Sequence, residues 1–513
     1  MVQHNRLQRP LPFQEADLAA NIGTLSAPPR LTDRLVMAGD FPDPTVVRFG
    51  EFFYMSATTA EWAPVFPLYK SSDLISWAPA GSVFPQPPVW AEGNYWAPEL
   101  IVDRGRLICC YTARAKNGVL SVGLASTTDI NIPFTDHGPI VAQAQGSIDG
   151  LVVRDENERL YLVWKEDGNA FKNATPIWAQ PLQEDLLAVT DEPVEIMRND
   201  TKWEGCLVEG SAIERHGAYF YMFFAGNGCC GKCCTYATGV ARSKQLLGPW
   251  EKHPGNPILR KSTLWRCPGH GTTVQHEGRH YLMHHAYHES SHEYVGRQPM
   301  LSEFVYRDGW PAFTTGKPGA GFELTPQEQH ITDDFMGTQL SAAWHWPALH
   351  PPRVQQQYGS LYVGGSYVGV GNILAQRTVS GAYTAQVMVP IQAQAWAGIA
   401  AIGDSNNAIG VMTRKRKVQL VKVQNGVHSV LAQRELPART TMLYMRLEVQ
   451  NGHSYTLSYR PYDQQEWIPL LDYNQPVDGT YLPPWDRGIR IGLTSFGAET
   501  TEARFKEFTV VNR

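Results

Sequence analysis

The sequence predicts an all-β protein in which a five-bladed β-propeller is followed by a β-sandwich. Three observations predict this class. Glycine and proline are frequent, at 45 and 36 of the 513 residues, and so are aromatic residues, at 15 Trp, 22 Tyr and 19 Phe. A strand–turn–strand pattern recurs five times in the first part of the chain, and alternating strands fill the rest. Many turns between many short strands are typical of propellers, barrels and sandwiches.

Each copy of the repeat opens with a small or polar residue and continues into an apolar strand, a charged turn, an aromatic strand and a third strand. The openings lie near residues 43, 98, 149, 209 and 270, which is about 50 to 60 residues apart. Units of this period are typical of propeller blades. The alternative is a sandwich with accidental internal similarity, but the recurring edges SSDLISW and SKQLLGPW favour the propeller.

The last third of the chain predicts a different domain. Its segments GAYTAQVMVPI and TMLYMRLEVQ alternate apolar and polar residues between turns, which is the pattern of a sandwich. We therefore divide the chain into an N-terminal extension at 1–37, a propeller at 38–320 and a sandwich at 325–513. We expect the sandwich to pack over the propeller mouth and narrow it, which favours attack at chain ends. A carbohydrate-binding role for the sandwich is the alternative.

Charge and hydropathy argue against two classes of partner. Lys and Arg number 44 and Asp and Glu 49, for a net charge of −5, which is too balanced for a nucleic-acid binder. No stretch of about 18 apolar residues predicts a membrane-spanning helix. The first residues contain no apolar core of a secretory signal, so we expect mostly reduced cysteines and a cytoplasmic location. Export of a trimmed precursor stays open, and so does the oligomeric state.

Propeller geometry brings distant polar residues together. The innermost strand of each blade runs along the central channel, so the openings of all five copies lie at the same end of one axis. The residues at these positions are Asp43, Glu99 or its neighbour Trp96, Asp149, Glu209 and His270. Carboxylates that lie close together raise one another's pKa, which makes such a cluster unfavourable unless it serves a function. We therefore expect a candidate active site here.

The chemistry that suits this cluster is glycoside hydrolysis. Two carboxylates act across a sugar acetal, one protonated to donate to the leaving oxygen and one ionised to activate water. A third acid nearby can raise the pKa of the first. Taken singly, Asp43 in FPDPT and Glu209 in VEGSA also suit turn or capping positions. Their recurrence at equivalent places in the repeat favours the shared function.

Five motifs, FPDPT, YWAPEL, GSIDGLV, VEGSAI and PGHGTTV, resemble glycoside hydrolase family 43, in order and in register, over residues from about 38 to 320. Farther on, ITDDFMGTQLSAAWHW and YGSLYVGG resemble the start of the jelly-roll, concanavalin-like sandwich of that family's β-xylosidases. The resemblance implies an inverting, exo-acting glycosidase. Its products are expected to be β-D-xylose, α-L-arabinofuranose or both, released from small oligosaccharides of plant cell-wall hemicellulose.

The resemblance also implies roles for four residues of the cluster. Asp43 is expected to be the general base and Glu209 the general acid. Asp149 is expected to orient Glu209 and to raise its pKa. His270 is expected beside a hydrated calcium ion in the channel, where waters would supply most of the six to eight oxygens that calcium prefers.

Substrate-binding residues are expected on the same basis. Trp96 in YWAP, Trp62 and Arg297 are the candidates to contact the sugar. Two departures leave the choice of sugar open: Ala60 stands where related xylosidases often have Phe, and the CC pair before TY is similar to arabinan-cleaving members. An arabinan-directed enzyme and a non-catalytic carbohydrate-binding propeller are therefore the alternatives.

Two further motifs are singled out. His288, Glu289 and His292 match the H-E-x-x-H zinc signature, which requires a helix. Because the motif follows a predicted strand, we expect a solvated loop, together with His284 and His285, or a substrate contact.

The second motif is a compact cysteine cluster. Cys229, Cys230, Cys233 and Cys234 lie in one short segment of the fourth repeat. A zinc site, a disulfide within the loop and free thiols are all compatible with this spacing. The redox state of the cluster therefore stays open.

Overall fold

The computed structural model describes residues 34–314, 330–473 and 475–512. Regular structure in these ranges is almost all β, with the one-turn helix α1 (His292–Val295) and two short 3₁₀ segments, Gly168–Phe171 and Lys202–Glu204. The predicted all-β class is confirmed. No helix in this part of the chain is long and apolar enough to cross a membrane. The predicted extension up to residue 33 and the predicted domain boundary near 320–325 lie outside the described residues.

Five antiparallel sheets form the blades of the propeller. The first blade contains β2 (Thr45–Phe49), β3 (Phe52–Ser56), β5 (Val65–Ser71) and β6 (Ala78–Phe84). Two short strands of the same part of the chain lie outside this sheet, β1 (Arg34–Leu35) and the side strand β4 (Trp62–Ala63). The second blade contains β7 (Trp96–Asp103), β8 (Arg106–Arg114), β9 (Leu120–Thr127) and β10 (Thr135–Val141). The third contains β11 (Ser147–Arg154), β12 (Leu160–Glu166), β13 (Ile177–Pro181) and β14 (Val194–Met197). The fourth contains β15 (Val208–His216), β16 (Tyr219–Gly226), β17 (Ala237–Ser243) and β18 (Glu251–Lys252). The fifth contains β19 (Trp265–His276), β20 (Arg279–His288), β21 (Arg297–Arg307) and β22 (Trp310–Phe313).

The first strand of the described chain closes the ring. In β1, Arg34 pairs with Leu301 and Leu35 pairs with Met300, so the N-terminal strand becomes part of the fifth blade. Pairing between the two ends of a ring covers backbone groups that an open sheet would leave exposed at its edge.

Apolar side chains fill the spaces between neighbouring blades. Strand β16 carries the aromatic run predicted for the fourth repeat, and its Phe220, Met222 and Phe224 are buried with Tyr161 and Val163 of β12. Burial on both faces explains why these strands are almost continuously apolar. The inner strands are the exception, because each one carries a polar residue toward the channel.

The described residues from 330 onward form the sandwich. Its early strands are β23 (His330–Asp333), β24 (Trp346–Pro347), β25 (Val354–Gln356), β26 (Leu361–Gly364), β27 (Asn372–Arg377) and β28 (Tyr383–Pro390). They are followed by β29 (Trp396–Asp404), β30 (Asn407–Arg414), β31 (Lys417–Gln424), β32 (Val427–Glu435), β33 (Met442–Gln450) and β34 (Ser454–Pro461). The last are β35 (Ile468–Pro469), β36 (Val477–Asp478), β37 (Arg490–Phe496), β38 (Glu502–Phe505) and β39 (Glu507–Asn512).

Two large sheets make up the sandwich. One contains β23, β39, β28, β33, β34 and β35, with β36 beside β34, and the other contains β27, β37, β29, β30, β31 and β32. Strands β28 and β33 alternate buried and partly exposed residues along their length, as their sequence pattern predicts. Their apolar faces form one continuous core between the two sheets.

The sandwich docks directly on the propeller through Asp40. The Arg377 guanidinium donates through Nε to the Asp40 carbonyl oxygen at 2.8 Å, and the Gly488 amide donates to Asp40 Oδ2 at 3.0 Å. The other carboxylate oxygen of Asp40 accepts from the Arg297 amide at 3.0 Å. One buried carboxylate thus joins the first and fifth blades to the second domain.

Candidate active site

A pocket of about 430 Å³ opens at one end of the propeller channel. Its walls include residues from all five blades and from one loop of the sandwich. Its polar and aromatic lining includes Asp43, Trp96, Asp149, Lys165, Glu209, His270, Arg297, Trp485 and Asp486. The structure therefore brings together the three predicted acids, His270, Trp96 and Arg297. Of the two residues considered for the second blade, Trp96 lines the pocket and Glu99 does not.

A recurring backbone irregularity turns these side chains toward the pocket. Four inner strands break their register next to the functional residue, at Trp96/Glu99, Ile148/Leu151, Glu209/Ala212 and Gly269/Gly271. Asp149 and His270 lie inside these bulges with φ of 55° and 42°, and Asp43 has φ of 50° just before its strand. Such bulges re-aim a side chain and are common next to active sites. A positive φ costs about 1–3 kcal/mol for a residue with a side chain, which the surrounding sheet must offset.

Asp43 is held as an ionised carboxylate. Arg297 donates from Nη1 to Oδ1 at 2.8 Å, and the Thr58 hydroxyl donates to Oδ2 at 2.7 Å. Burial alone would raise the pKa of Asp43, but Arg297 and the nearby imidazoles of His270 and His285 outweigh it and hold the pKa well below its usual range. A carboxylate of this kind can accept a proton from water but has none to give.

Glu209 lies between two buried donors. Lys165 donates from Nζ to Oε2 at 2.6 Å, and the Tyr236 hydroxyl donates to Oε1 at 2.8 Å. Burial would raise the pKa of Glu209, but the positive charge of Lys165 dominates and lowers it. We expected Asp149 to raise the pKa of Glu209, but the net direction for Glu209 is downward. The physical reason is Lys165, whose role the sequence analysis missed.

Asp149 lies on the other side of the same charge network. Its Oδ2 accepts from the Gly210 amide at 3.0 Å, immediately after Glu209 in the chain. Burial raises the pKa of Asp149 to about 6, and the charge of Glu209 adds to this rise while His270 and Lys165 oppose it. Two acids that interact this closely titrate as a pair, in which the pKa of Asp149 is raised and that of Glu209 is lowered.

His270 contacts carboxylates. Its Nδ1 lies 3.5 Å from Asp43 Oδ1 and 3.8 Å from Asp149 Oδ2. Burial lowers the pKa of His270, but the surrounding carboxylates outweigh it and raise the pKa above its ordinary value.

The calcium ion expected beside His270 stays a prediction, and the charges of the pocket argue against it. Within residues 34–314, 330–473 and 475–512, no group of three or more His, Cys, Asp or Glu side chains is placed to hold a metal. Two cationic side chains, Lys165 and Arg297, already face the carboxylates of the pocket. No step of the mechanism proposed below therefore uses a metal.

The predicted sugar contacts divide into two groups. Trp96 is half-buried in the pocket wall, and its ring meets that of Trp485 edge-on with the centroids 5.8 Å apart. Arg297 also reaches the pocket, where its Nη2 donates to the Asp486 carbonyl oxygen at 2.9 Å. Trp96 and Arg297 therefore both line the pocket and both contact the sandwich loop.

Trp62 lies elsewhere, and the structure corrects the prediction that it binds substrate. Strand β4 pairs with β24 of the sandwich, with Trp62 opposite Pro347. The ring is 3% exposed, packs with Val370 and Ile373 of the sandwich, and lies 4.5 Å beneath the Arg490 guanidinium. Trp62 is therefore a packing residue between the domains, a position set by pairing with a strand almost 300 residues away in sequence.

The histidine segment is a strand rather than a solvated loop over half of its length. His284 and His285 lie within β20 and are completely buried. His284 contacts the Ser302 hydroxyl at 3.0 Å, and His285 accepts at Nδ1 from the Asp43 amide at 3.1 Å. His288 ends the strand, so the H-E-x-x-H motif does not lie on one helix.

The cysteine cluster is largely oxidised. Cys229 is joined to its neighbour Cys230, and Cys234 is joined to Cys267 of β19. Cys233 stays a free, exposed thiol. Among the alternatives left open by the sequence, the structure shows a disulfide within the loop, together with a second one that leaves it.

Several residues of the site were not predicted. Lys165, Tyr236 and His285 belong to second strands or strand connections, whereas the repeat pointed only to the start of each inner strand. A signal for Lys165 was present, because YLVWKED places a lysine in an otherwise apolar strand. A buried lysine needs a carboxylate partner, and such a partner is expected in a neighbouring blade.

Comparisons with known proteins agree with this architecture. A sequence model of glycosyl hydrolases family 43 matches residues 32–311, and a model of the β-xylosidase C-terminal concanavalin A-like domain matches residues 332–511. Among solved structures, a xylan β-1,4-xylosidase from Bacillus halodurans superposes with a TM-score of 0.79 at 21% identity, covering 94% of this chain and 100% of that one. At that identity the superposition shows the fold.

Curated relatives include enzymes for two different sugars. An extracellular exo-α-(1→5)-L-arabinofuranosidase of Cellvibrio japonicus is 24% identical over 305 residues, which cover 53% of this chain and 86% of that protein. A xylan 1,3-β-xylosidase of a Vibrio species is 26% identical over 348 residues, covering 60% of this chain and 63% of that protein. The match therefore spans less than two thirds of the Vibrio enzyme.

The predicted cytoplasmic location is wrong. The Cellvibrio arabinofuranosidase is named extracellular, and so is an endo-α-(1→5)-L-arabinanase of Bacillus subtilis that is 23% identical over 334 residues. The expectation of mostly reduced cysteines is also wrong for Cys229, Cys230, Cys234 and Cys267. These four residues form two disulfides, and disulfides persist in oxidising compartments.

The five inner-strand motifs, the cluster of acids that they bring together and the second domain all agree with one assignment. The family model covers more than half of the chain, and the second model covers most of the remainder. The resemblance inferred from the motifs is therefore confirmed, and the chain belongs to glycosyl hydrolase family 43.

Proposed function

We propose that this family 43 hydrolase removes single pentoses, β-D-xylose, α-L-arabinofuranose or both, from the ends of xylo- and arabino-oligosaccharides derived from plant cell-wall hemicellulose. The observation that supports this proposal is the unequal ionisation of three buried acids in one pocket. Asp43 is held ionised, while the pKa of Asp149 is raised to about 6 beside Glu209. A hydrolase that inverts configuration needs one carboxylate with a proton and one without.

Asp43 acts as the general base in this proposal. Its two oxygens are held by Arg297 and Thr58, which fixes the carboxylate plane relative to the pocket. A water between Asp43 and the anomeric carbon would give up its proton to the carboxylate as it attacks. Attack from the face opposite to the leaving group inverts the configuration of the released sugar.

Glu209 acts as the general acid, and it shares one proton with Asp149. The charges of the pocket favour the proton on Asp149, because Lys165 stabilises ionised Glu209. A bound sugar displaces water and lowers the local dielectric, which strengthens the repulsion between the two carboxylates. We therefore expect the pair to retain a proton at neutral pH when substrate is bound, with Glu209 positioned to donate it to the leaving oxygen.

A loop from the sandwich supports action at chain ends. Trp485 and Asp486 form part of the pocket wall, and Trp485 packs against Trp96 of the second blade. A propeller channel without such a loop would be an open groove at this end. We expect the added wall to narrow the pocket, which favours a terminal sugar over a longer chain that crosses the propeller face.

An arabinan-directed enzyme is the second candidate. It is favoured by the Cellvibrio arabinofuranosidase, most of whose length this chain matches, whereas the sandwich matches the β-xylosidase type. In this proposal the two candidates share the catalytic acids and differ in the sugar that the pocket accepts.

Hydrolysis of defined oligosaccharides tests the proposal. Xylotriose, α-(1→5)-linked arabinotriose and the aryl glycosides of both pentoses are incubated with the wild type, and the released sugar and its initial anomer are identified by NMR. Release of single pentoses of inverted configuration is expected. Internal cleavage would support an endo-acting arabinanase, and no release from any substrate, with measurable binding, would leave a carbohydrate-binding propeller.

A further inference from the structure

The disulfide between the neighbouring residues Cys229 and Cys230 lies in the wall of the pocket. The mechanism above does not use it. We infer that this disulfide is a contact surface for the sugar on the leaving-group side of the cleaved bond, and the inference rests on the proposed function.

The position of the disulfide relative to Glu209 carries the first step. Glu209 of β15 pairs with Ala225 of β16, and the chain continues from Gly226 into the loop that contains Cys229 and Cys230. Both cysteines are half-buried and line the same pocket as Glu209. Because the general acid donates to the leaving oxygen, the wall next to Glu209 is the wall that the leaving sugar meets.

The loop is rigid enough to act as a fixed surface. Its two ends are tied together, since the Thr235 amide donates to the Gly228 carbonyl at 2.9 Å. The Gly231 amide donates to the Tyr287 hydroxyl at 3.1 Å, and the second disulfide joins Cys234 to β19. A surface that is ordered before binding loses little conformational entropy when the sugar arrives.

The chemistry of the surface suits the ring of a sugar. A disulfide has no hydrogen-bond donor, and its sulfurs are polarizable and apolar, which favours contact with C–H groups. Cys229 also packs with the apolar cluster of Leu207, Tyr236 and Tyr287 behind it. Hydrogen bonds to the sugar hydroxyls would come instead from the charged residues elsewhere in the pocket.

The sandwich completes this wall. A Cβ placed on Gly231 would lie 3.5 Å from the Trp485 carbonyl oxygen, so the cysteine loop and the sandwich loop are in contact. The disulfide and Trp485 therefore belong to one continuous part of the pocket wall. Bonded sulfurs are also unavailable as zinc ligands, which removes the metal alternative for Cys229 and Cys230.

The test separates the leaving-group side from the terminal sugar. The double variant Cys229→Ala/Cys230→Ala is compared with wild type on xylotriose and on β-D-xylopyranosyl fluoride, or on the arabinose counterparts if the wild type prefers them. The fluoride has no leaving sugar. We expect kcat/KM for the trisaccharide to fall about ten-fold and that for the fluoride to stay within about two-fold. The matched control Cys233→Ala removes the exposed thiol of the same loop and should change neither.

The alternative outcomes are distinct. An equal loss on both substrates would show that the disulfide only holds the fold, and no loss on either would show that the leaving sugar does not touch it; both results overturn the inference. If the wild type releases no pentose from any substrate, the proposed function fails first. A wild type that is active, with an unchanged double variant, overturns this inference alone.

A second measurement covers a double variant that does not fold. Wild type is treated with dithiothreitol, which is oxidised to its cyclic disulfide as Cys229 and Cys230 become thiols, and alkylation with mass spectrometry identifies which cysteines were reduced. Selective reduction of this pair should again lower kcat/KM for the trisaccharide and spare the fluoride. Unchanged selectivity after complete reduction of the pair would contradict the inference.

Discussion

The Lys165 ammonium nitrogen lies 2.6 Å from Glu209 Oε2, and both side chains are buried. This ion pair joins the second strand of the third blade to the inner strand of the fourth. It also determines which of the two neighbouring acids keeps a proton, because Lys165 stabilises the ionised form of Glu209 more than that of Asp149. The charge balance of the pocket therefore depends on a residue outside the inner strands.

Replacing Lys165 with Met should raise the pKa of Glu209, since burial then acts without an opposing charge. We expect the alkaline limb of the kcat/KM profile to move upward by about one to three pH units. Folding should lose about 3–5 kcal/mol at neutral pH, because a buried carboxylate loses its partner. The exposed Lys202→Met is the control for both measurements. A limb that stays in place would show that Lys165 does not control the ionisation of Glu209.

The roles of the two catalytic acids predict different dependences on the leaving group. Glu209→Gln should lower kcat/KM by about 10²–10⁴ on xylobiose, but much less on a dinitrophenyl glycoside, whose leaving group needs no proton. Asp43→Asn should reduce turnover of both substrates alike, because each requires an activated water. Equal losses on the two substrates for Glu209→Gln would remove it from the acid role.

Asp149→Asn should stabilise the folded protein, and the gain should depend on pH. The pKa of Asp149 is raised to about 6 in the folded protein, so ionisation costs folding free energy as the pH rises from the unfolded value near 4 to about 6. Below pH 4 both states are protonated and no difference is expected. Melting temperatures of variant and wild type between about pH 3.5 and pH 7.5 should therefore diverge with rising pH. A constant difference would contradict the raised pKa.

Removal of metal ions should leave activity unchanged. Lys165 and Arg297 already offset carboxylates of the pocket, so a calcium ion would add positive charge where little is needed. Enzyme dialysed against EDTA and then passed over chelating resin should keep its kcat and melting temperature, and added calcium should change neither. Loss of activity that calcium restores would support the ion expected from the family resemblance instead.

The two tryptophans expected to bind sugar should respond in opposite ways. Trp62→Ala opens a cavity between the domains and should cost about 3–5 kcal/mol of folding free energy, with little change in KM at a temperature where the variant is folded. Trp96→Ala should raise KM with a smaller loss of stability, because its ring is half-buried in the pocket wall. Chemical unfolding and steady-state kinetics on both variants check the contrast.

Sequence periodicity was sufficient for the parts of the site that repeat. Asp43, Asp149, Glu209 and His270 were found because each opens an inner strand, and an equivalent place in every blade means a common end of one channel. The positive φ at Asp149 and His270 was not foreseen, since both sequence positions look like ordinary strand residues.

The remaining features depend on contacts between distant parts of the chain. The direction of the pKa of Glu209 could not be predicted, because it is set by Lys165 in another blade. Trp62 was misassigned because its burial results from β24, in the other domain. Pairings across hundreds of residues leave no local pattern, and they decide which of two similar tryptophans reaches the pocket.

The proposed active site in the propeller depends on the carbonyl oxygen of Asp486, which belongs to the sandwich. That oxygen holds Arg297, and Arg297 holds Asp43, so a backbone atom of the sandwich is only two hydrogen bonds from the proposed base. The propeller domain alone would contain the three acids, but the Arg297 guanidinium would lack the Asp486 carbonyl as an acceptor. In another propeller, the same carbonyl oxygen would need a different donor wherever no arginine takes the place of Arg297.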